Sequence, residues 1–261
     1  MSTINHETTI TFLGTSTALP DAGSDTASLL INRKYLVDTG WSVVSNLRKQ
    51  GVDPTEIEYL FFTHMHHDHY LSLPSLLFYF LMKRKNLADL KIIGPIEDLE
   101  RVVKLSMNLL QADRFYSGKG MPTLIPLQPG EPYEDEVFTL HTCETVHPVQ
   151  GLCYRFTDKL TGKVFSFTGD TAYHPPMADH VRGSSILITE ASLGPVAADM
   201  NHNPALHSGA VDAARMAEAA EVDKLFLVHG PLSKADACVE AAKQVFSKPV
   251  EWPKDGQTIT L

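Results

Sequence analysis

Short apolar runs alternate with stretches of helical periodicity along the whole chain, and no low-complexity linker divides them. Residues 8–13 and 29–37 ("LLINRKYLV") read as strands, the second turned at Asn32-Arg33-Lys34. Residues 41–50 fit a short helix ended by Gly51. A strand at 59–62, a helix beginning near Pro74, the strand "KIIG" at 91–94 and a helix from about 97 to 110 follow. Proline and glycine gather between 117 and 132 ("SGKGMPTLIPLQPGEP"), which predicts a seam between two halves of a single domain spanning 1–261. Beyond the seam, strands are expected at 137–142, 151–157, 163–168, 186–189 and 225–228. Alanine-rich helices are expected at about 209–220 and 234–246. Strands and helices mixed in both halves predict an α/β fold of sheet layers covered by helices.

Four of the apolar runs end at once in chemically capable residues. "YLFF" leads to Thr63-His64, "VFSF" to Thr168-Gly169-Asp170, "ILIT" to Glu190 and "LFLV" to His229-Gly230. Strand ends facing a common edge are where open α/β sheets place their sites. After the first run, "HMHHDH" spaces His64, His66, Asp68 and His69 so that two histidines can converge on one cation while Asp68 and His69 point to a second. A short peptide cannot complete two such sites. His147 in "ETVHPVQG", Asp170 in "FTGDTAYHP" and His229 in "LFLVHGP" are the distant partners available. Together these are seven side chains, enough for two neighbouring metals that share one carboxylate. The alternative for the cluster alone is a solvated, histidine-rich loop.

Composition narrows the class without naming a substrate. The 261 residues are 43% hydrophobic and 20% charged, as in an ordinary globular protein with room for a sizeable core. No apolar stretch is long enough to cross a bilayer, and "MSTINHETT" lacks the features of a signal peptide, so a cytoplasmic location with no membrane partner is expected. Three cysteines (Cys143, Cys153 and Cys238) form no CxxC, which agrees with a reducing compartment; none is assigned to metal. A net charge of -9 and the absence of a basic run oppose non-specific nucleic-acid binding.

"HMHHDH" resembles the HxHxDH signature of the metallo-β-lactamase superfamily, and the likeness extends over nearly the whole chain. It is nearest to the ribonuclease Z-like branch. "GTSTALPDAGSDTASLLI" is similar to that branch's Gly-Thr-Ser loop, and Asp38 in "LVDTG" to an early aspartate that supports the histidine loop. "FTGDTAYHP" resembles the Gly-Asp-Thr segment. "ILITEAS" resembles a His-Glu-Ala-Thr segment, with Thr189 and Ser192 as departures. "HSGAVDAARMAEAAEVDKLFLVHG" resembles the His-Ser-Thr helix and last ligand strand, with Gly209 in place of threonine. The resemblance implies a four-layer αββα sandwich with the metal site at one edge of its two sheets. It implies that His64, His66 and His147 hold one zinc, that Asp68, His69 and His229 hold the other, and that Asp170 bridges them. It also implies that His207 assists the leaving group at a scissile phosphate, with Glu190 as its acidic neighbour. Structural alternatives stand beside these last two: Glu190 as a cap for the following loop, and His207 as a cap for the following helix.

The implied enzyme is a hydrolase using two divalent ions (Zn2+, or Mn2+ or Fe2+), about 3.5–4 Å apart, and a bridging hydroxide. Asp68 belongs to both the ligand set and the catalytic set. The first substrate expectation is a small nucleotide or other phosphodiester, and a homodimer is possible as among relatives. tRNA 3′-end cleavage is an alternative, weakened because the segment between His147 and Asp170 has room for a β-hairpin and no tRNA-gripping arm. A lactone, β-lactam, thioester or sulfate ester is the other alternative on the same metals. His67 is expected at the surface. Tyr173, His174, His202 and Asn203 are expected at the cleft mouth or in ordinary loops. Phe78, Tyr79 and Phe80 either line a pocket or pack a helix. His6, His141 and His180 show no partner pattern.

Overall fold

A computed structural model describes residues 6–118 and 120–261; the first five residues of the amino-terminal stretch and Lys119 of the Pro- and Gly-rich segment lie outside the described residues. Two seven-stranded sheets face one another. The first is built from β1 (Thr9–Gly14), β2 (Ser28–Ile31), β3 (Tyr35–Val37), β4 (Tyr59–Phe61), β5 (Lys91–Pro95) and β6 (Thr123–Leu127). The second contains β7 (Tyr133–Glu134), β8 (Phe138–Glu144), β9 (Leu152–Asp158), β10 (Val164–Phe167), β11 (Ile186–Glu190), β12 (Lys224–Val228) and β13 (Val250–Glu251). β14 (Thr258–Thr260) returns to the first sheet and pairs antiparallel with β1. The strand orders are β14-β1-β2-β3-β4-β5-β6 and β13-β12-β11-β10-β9-β8-β7.

Both sheets are covered on both faces, which is why so many strands read as unbroken apolar runs. Along β4 and the residue after it, Tyr59 and Phe61 enter the core between the sheets, while Leu60 and Phe62 pack outward under helices. β12 divides in the same way, with Phe226 and Val228 between the sheets and Leu225 and Leu227 outside. The first outer layer comprises α1 (Val43–Lys49), α2 (His67–Tyr70), α3 (Leu73–Met82), α4 (Leu99–Leu109) and α5 (Ala112–Phe115). The second comprises α6 (Pro176–Val181), α7 (Ala210–Ala220) and α8 (Ala235–Lys243). The order of layers is therefore αββα, as the resemblance implied.

Where expectation and structure differ, the cause is local. The Pro- and Gly-rich stretch contains β6, an edge strand in which Pro126 needs no ladder donor on its open side. β13 and β14 are too short to show a period. In α3, Leu76, Leu77, Phe80 and Leu81 are buried, while Phe78 is exposed, so the aromatic run packs a helix and lines no part of the cleft. The parallel strands β4, β11 and β12 and the strand β10 all deliver their carboxyl ends to one edge, where the four chemically capable loops begin.

Candidate metal centre

β4 ends in a loop that must turn sharply to present His64, His66, Asp68 and His69 from one side. Asp38, at the end of β3, organises that turn. Its carboxylate accepts from the Thr63 backbone N–H at 2.9 Å, from Thr63 Oγ1 at 2.7 Å and from His69 Nδ1 at 2.8 Å. Asp38 has φ +53, a conformation that aspartate tolerates better than most residues and that persists because the surrounding bonds define it. The short helix α2 then places Asp68 and His69 one turn beyond His66. His67 points into solvent, as expected.

Four further strands complete the cluster. His147 follows β8, Asp170 follows β10, Glu190 ends β11 and His229 follows β12. Gly169 makes the turn into Asp170 with φ +63, and a Cβ there would lie 2.5 Å from Thr63 Cβ. Only glycine meets both demands. Beside Asp170 Oδ2 lie His64 Nε2 at 3.8 Å, His69 Nε2 at 3.5 Å and His207 Nδ1 at 3.8 Å; His229 Nδ1 is 3.5 Å from Asp170 Oδ1. Asp68 Oδ2 is 3.3 Å from His69 Nε2 and 3.2 Å from His229 Nε2. His66 Nδ1 and His147 Nε2 face each other at 2.9 Å.

Hydrogen-bond roles decide what these atoms need. With its Nδ1–H given to Asp38, His69 turns Nε2 toward Asp68 and Asp170. Ser192 Oγ donates to the His229 carbonyl at 2.7 Å, so at 2.9 Å it accepts from His229 Nδ1–H, and His229 Nε2 is aimed at Asp68. His64 Nε2, His69 Nε2 and Asp170 Oδ1 are buried without a hydrogen-bond partner. Acceptors crowded on acceptors in a buried site are costly unless a proton or a cation lies between them. Two groups of ligand atoms, His64-His66-His147 and Asp68-His69-His229, each lie within 4.8 Å of one another, and Asp170 groups with members of both sets. Each of these two groups offers three side chains of the type that hold a divalent ion, and Asp170 lies within reach of members of both.

The titration tendencies point the same way. Burial favours a protonated Asp170, but His229 and His69 outweigh it and hold the carboxyl well below its ordinary range. Burial also opposes charge on Asp68, yet His229 and His69 hold its carboxyl below the ordinary range; although burial opposes charge on them too, the surrounding carboxylates raise both rings, protons whose place a cation would take. Burial pushes His64 well down and His147 to about 4, so both are neutral imidazoles, the form that binds metal.

At the rim, His207 and Glu190 form a pair. His207 Nδ1 lies 3.0 Å from each Glu190 oxygen. Burial works against protonation of His207, but Glu190 overcomes it and raises the ring to about 9. Glu190 also accepts from the Thr171 N–H at 2.6 Å and the Ser192 N–H at 3.3 Å, so it caps its loop and holds His207 at once. His207 does not cap α7: Gly209 is the N-cap, and its N–H goes to Asp212 Oδ2 at 3.1 Å. Asn203 is buried, donating to the His207 carbonyl at 2.6 Å and accepting from its N–H at 3.1 Å. His202 is exposed and bonded to Asp199, away from this pair.

In the sequence Ser192 stands out only as a departure from a motif, and Asn203 is expected at the cleft mouth or in an ordinary loop. Neither type nor spacing signals a part in holding a histidine.

Residues 33–230 match a family described as "Beta-lactamase superfamily domain". The chain is 29% identical over 257 residues to "Probable metallo-hydrolase YhfI" of Bacillus subtilis (strain 168), covering 95% of this chain and 97% of that protein. The crystal structure of the metallo-beta-lactamase fold protein YhfI from Bacillus subtilis aligns with a TM-score of 0.81 at 26% identity, over 98% of this chain and 100% of that one. Ribonuclease Z of Listeria innocua is 25% identical over 277 residues, covering 84% of this chain and 87% of that protein. The short form of human tRNase Z shares the fold, with a TM-score of 0.73 at 21% identity over 96% and 98% of the two chains.

Proposed function

Because the chain belongs to the beta-lactamase superfamily, we propose that it is a dinuclear metallohydrolase that cleaves a phosphodiester, with a small nucleotide or cyclic nucleotide as the first substrate class. Relatives named as a metallo-hydrolase and as ribonuclease Z support the reaction type. The observation that carries the substrate class is the His207–Glu190 pair at 3.0 Å beside the ligand cluster. Hydrolysis of a diester expels an alkoxide that needs a proton, whereas a β-lactam or an activated aryl ester needs that help less.

His64, His66 and His147 would hold one ion and Asp68, His69 and His229 the other, with Asp170 shared. Ions held there would supply Lewis-acid chemistry and activate water near neutral pH. The remaining work belongs to the chain. Asp38 fixes the tautomer and direction of His69, and Ser192 does the same for His229. Glu190 keeps a proton on His207 and occupies Nδ1, which leaves Nε2 to hand a proton to the leaving oxygen. Cations in the adjacent cluster would pull the His207 value of about 9 down toward neutrality, which suits a group that must both hold and release a proton near pH 7. The half-buried position of His207 gives substrate access to it.

Between His147 and Asp170 the chain forms only the β9–β10 hairpin, which favours a small diester over tRNA. Among the described residues, no helix is long and apolar enough to cross a membrane. The test is a panel on metal-loaded protein: bis(p-nitrophenyl) phosphate, a cyclic nucleotide, precursor tRNA, a lactone, a β-lactam and an aryl sulfate. Preferred cleavage of the diesters is expected. Preference for a carbonyl or sulfate ester would overturn the substrate class, and efficient precursor tRNA cleavage would overturn the restriction to small diesters.

A further inference from the structure

Behind the cleft, on the outer face of the second sheet, Cys143, Cys153 and His180 come together. In β8 the side chains of Phe138 and Leu140 enter the inter-sheet core, so alternation sends Cys143 to the opposite face. In β9 Leu152, Tyr154 and Phe156 face the core and Cys153 looks outward, beneath Met177, Ala178 and Val181 of α6. The two cysteines are register partners across the β8–β9 pair. α6 supplies His180, and one ligand atom from each of the three residues lies within 4.8 Å of the others. On a tetrahedral zinc, with Zn–S near 2.3 Å, ligand atoms sit about 3.8 Å apart, so closure asks for movements of about an ångström at most.

A side-chain fact turns this proximity into a site. His180 Nε2 is buried and has no hydrogen-bond partner. The His141 main chain acts on the same ring. A proton held on Nδ1 would leave the Nε2 lone pair free for a cation. A metal-binding histidine is commonly oriented in this way by a backbone carbonyl.

We propose that Cys143, Cys153 and His180 form a binding site for a thiophilic divalent cation, Zn2+ in the first instance, separate from the cleft cluster. Zn2+ takes two thiolates and one imidazole and leaves a fourth position for water. Binding releases one proton from each thiol, and the resulting Zn(Cys)2(His) unit is neutral. Burial holds the Cys153 thiol well above its usual value, so the metal has to displace that proton. A disulfide between the register partners is the competing outcome. It would leave His180 Nε2 without a partner, whereas a cation satisfies all three atoms. The site ties α6 to β8 and β9. Cys143 stands four residues before His147 and His180 ten residues after Asp170, so an ion here braces from behind the segments that deliver two cleft ligands.

Cobalt(II) titration of the reduced, full-length chain tests the site directly, because thiolate-to-cobalt charge transfer absorbs in the near ultraviolet and the cleft cluster contains no cysteine. A charge-transfer band whose full amplitude corresponds to one thiolate-bound cobalt per chain, reached by three total equivalents once the cleft is also filled, and that Zn2+ bleaches, is expected. It should persist in Asp170→Ala and disappear in Cys143→Ser. It should weaken at least tenfold in apparent affinity in His180→Gln, a half-buried position where the fold tolerates the change. Absence of the band in reduced, folded protein overturns the proposal. So does a band indifferent to His180→Gln, or a Cys143–Cys153 disulfide formed in air that Zn2+ does not prevent.

Discussion

Asp38 shapes the loop that carries the candidate ligands by fixing Thr63 and His69 together. Asp38→Ala should lower metal affinity about 10–100-fold while the chain stays folded, the usual effect of losing a partner behind a metal ligand. Competition with a chromogenic chelator measures it, and unchanged affinity would refute the role. Gly169→Ala should do worse, since the new methyl meets Thr63 at 2.5 Å in a left-handed backbone. A lower melting temperature together with lost metal is expected. Of the individual residues, the seven proposed ligands were legible because imidazoles and carboxylates at strand ends have a recognisable spacing. Ser192 and Asn203 were not, because a serine or asparagine acts here through main-chain and ring contacts that exist only once distant loops have met. The same limit hid His180, whose cysteine partners lie far from it in sequence.

At the level of elements, the strands were legible wherever both faces are covered, since burial on two sides leaves an unbroken apolar signature. β6, β13 and β14 escaped it as short or edge strands. The loop between β7 and β8 ties the two sheets through Asp135, which accepts a hydrogen bond from the Tyr59 hydroxyl of β4; Lys91 Nζ donates to that hydroxyl at 2.5 Å. Burial alone would raise the Asp135 carboxyl, but the Tyr59 bond and two backbone N–H groups lower it below 3.8. A depressed folded value stabilises above the unfolded value and is lost as pH falls through the folded one. Tyr59→Phe should therefore cost about 1 kcal/mol at neutral pH, and the gap to wild type should narrow below about pH 4. Urea unfolding at the two pH values checks this; a gap independent of pH would show that Asp135 is not the partner that counts.

For the whole molecule, the two sheets place acidic and imidazole groups from five separated segments at one edge, and the net charge of -9 makes divalent cations natural counter-ions there. Removing them should destabilise the fold. At free metal about 100-fold above Kd, binding contributes about 2.7 kcal/mol, so a chelator should lower Tm by about 5–10 °C. Scanning calorimetry with and without chelator reads the shift, and readdition of Zn2+ should reverse it. An unchanged Tm would mean that the cluster is a self-sufficient polar core. The αββα architecture was legible through motif resemblance, whereas element patterning alone reached only sheets covered by helices. Nothing in the pattern of residues specified which bond is cleaved, because that depends on the shape of the open cleft rather than on its ligands.

The most direct measurement counts metal per chain and diester hydrolysis together, in Cys143→Ser protein so that only the cleft contributes. Two equivalents of metal with turnover of bis(p-nitrophenyl) phosphate, and loss of at least one equivalent with nearly all turnover in the added Asp170→Ala variant, are the predicted results. One equivalent or none in the active protein, or full activity without Asp170, would contradict a two-metal hydrolase.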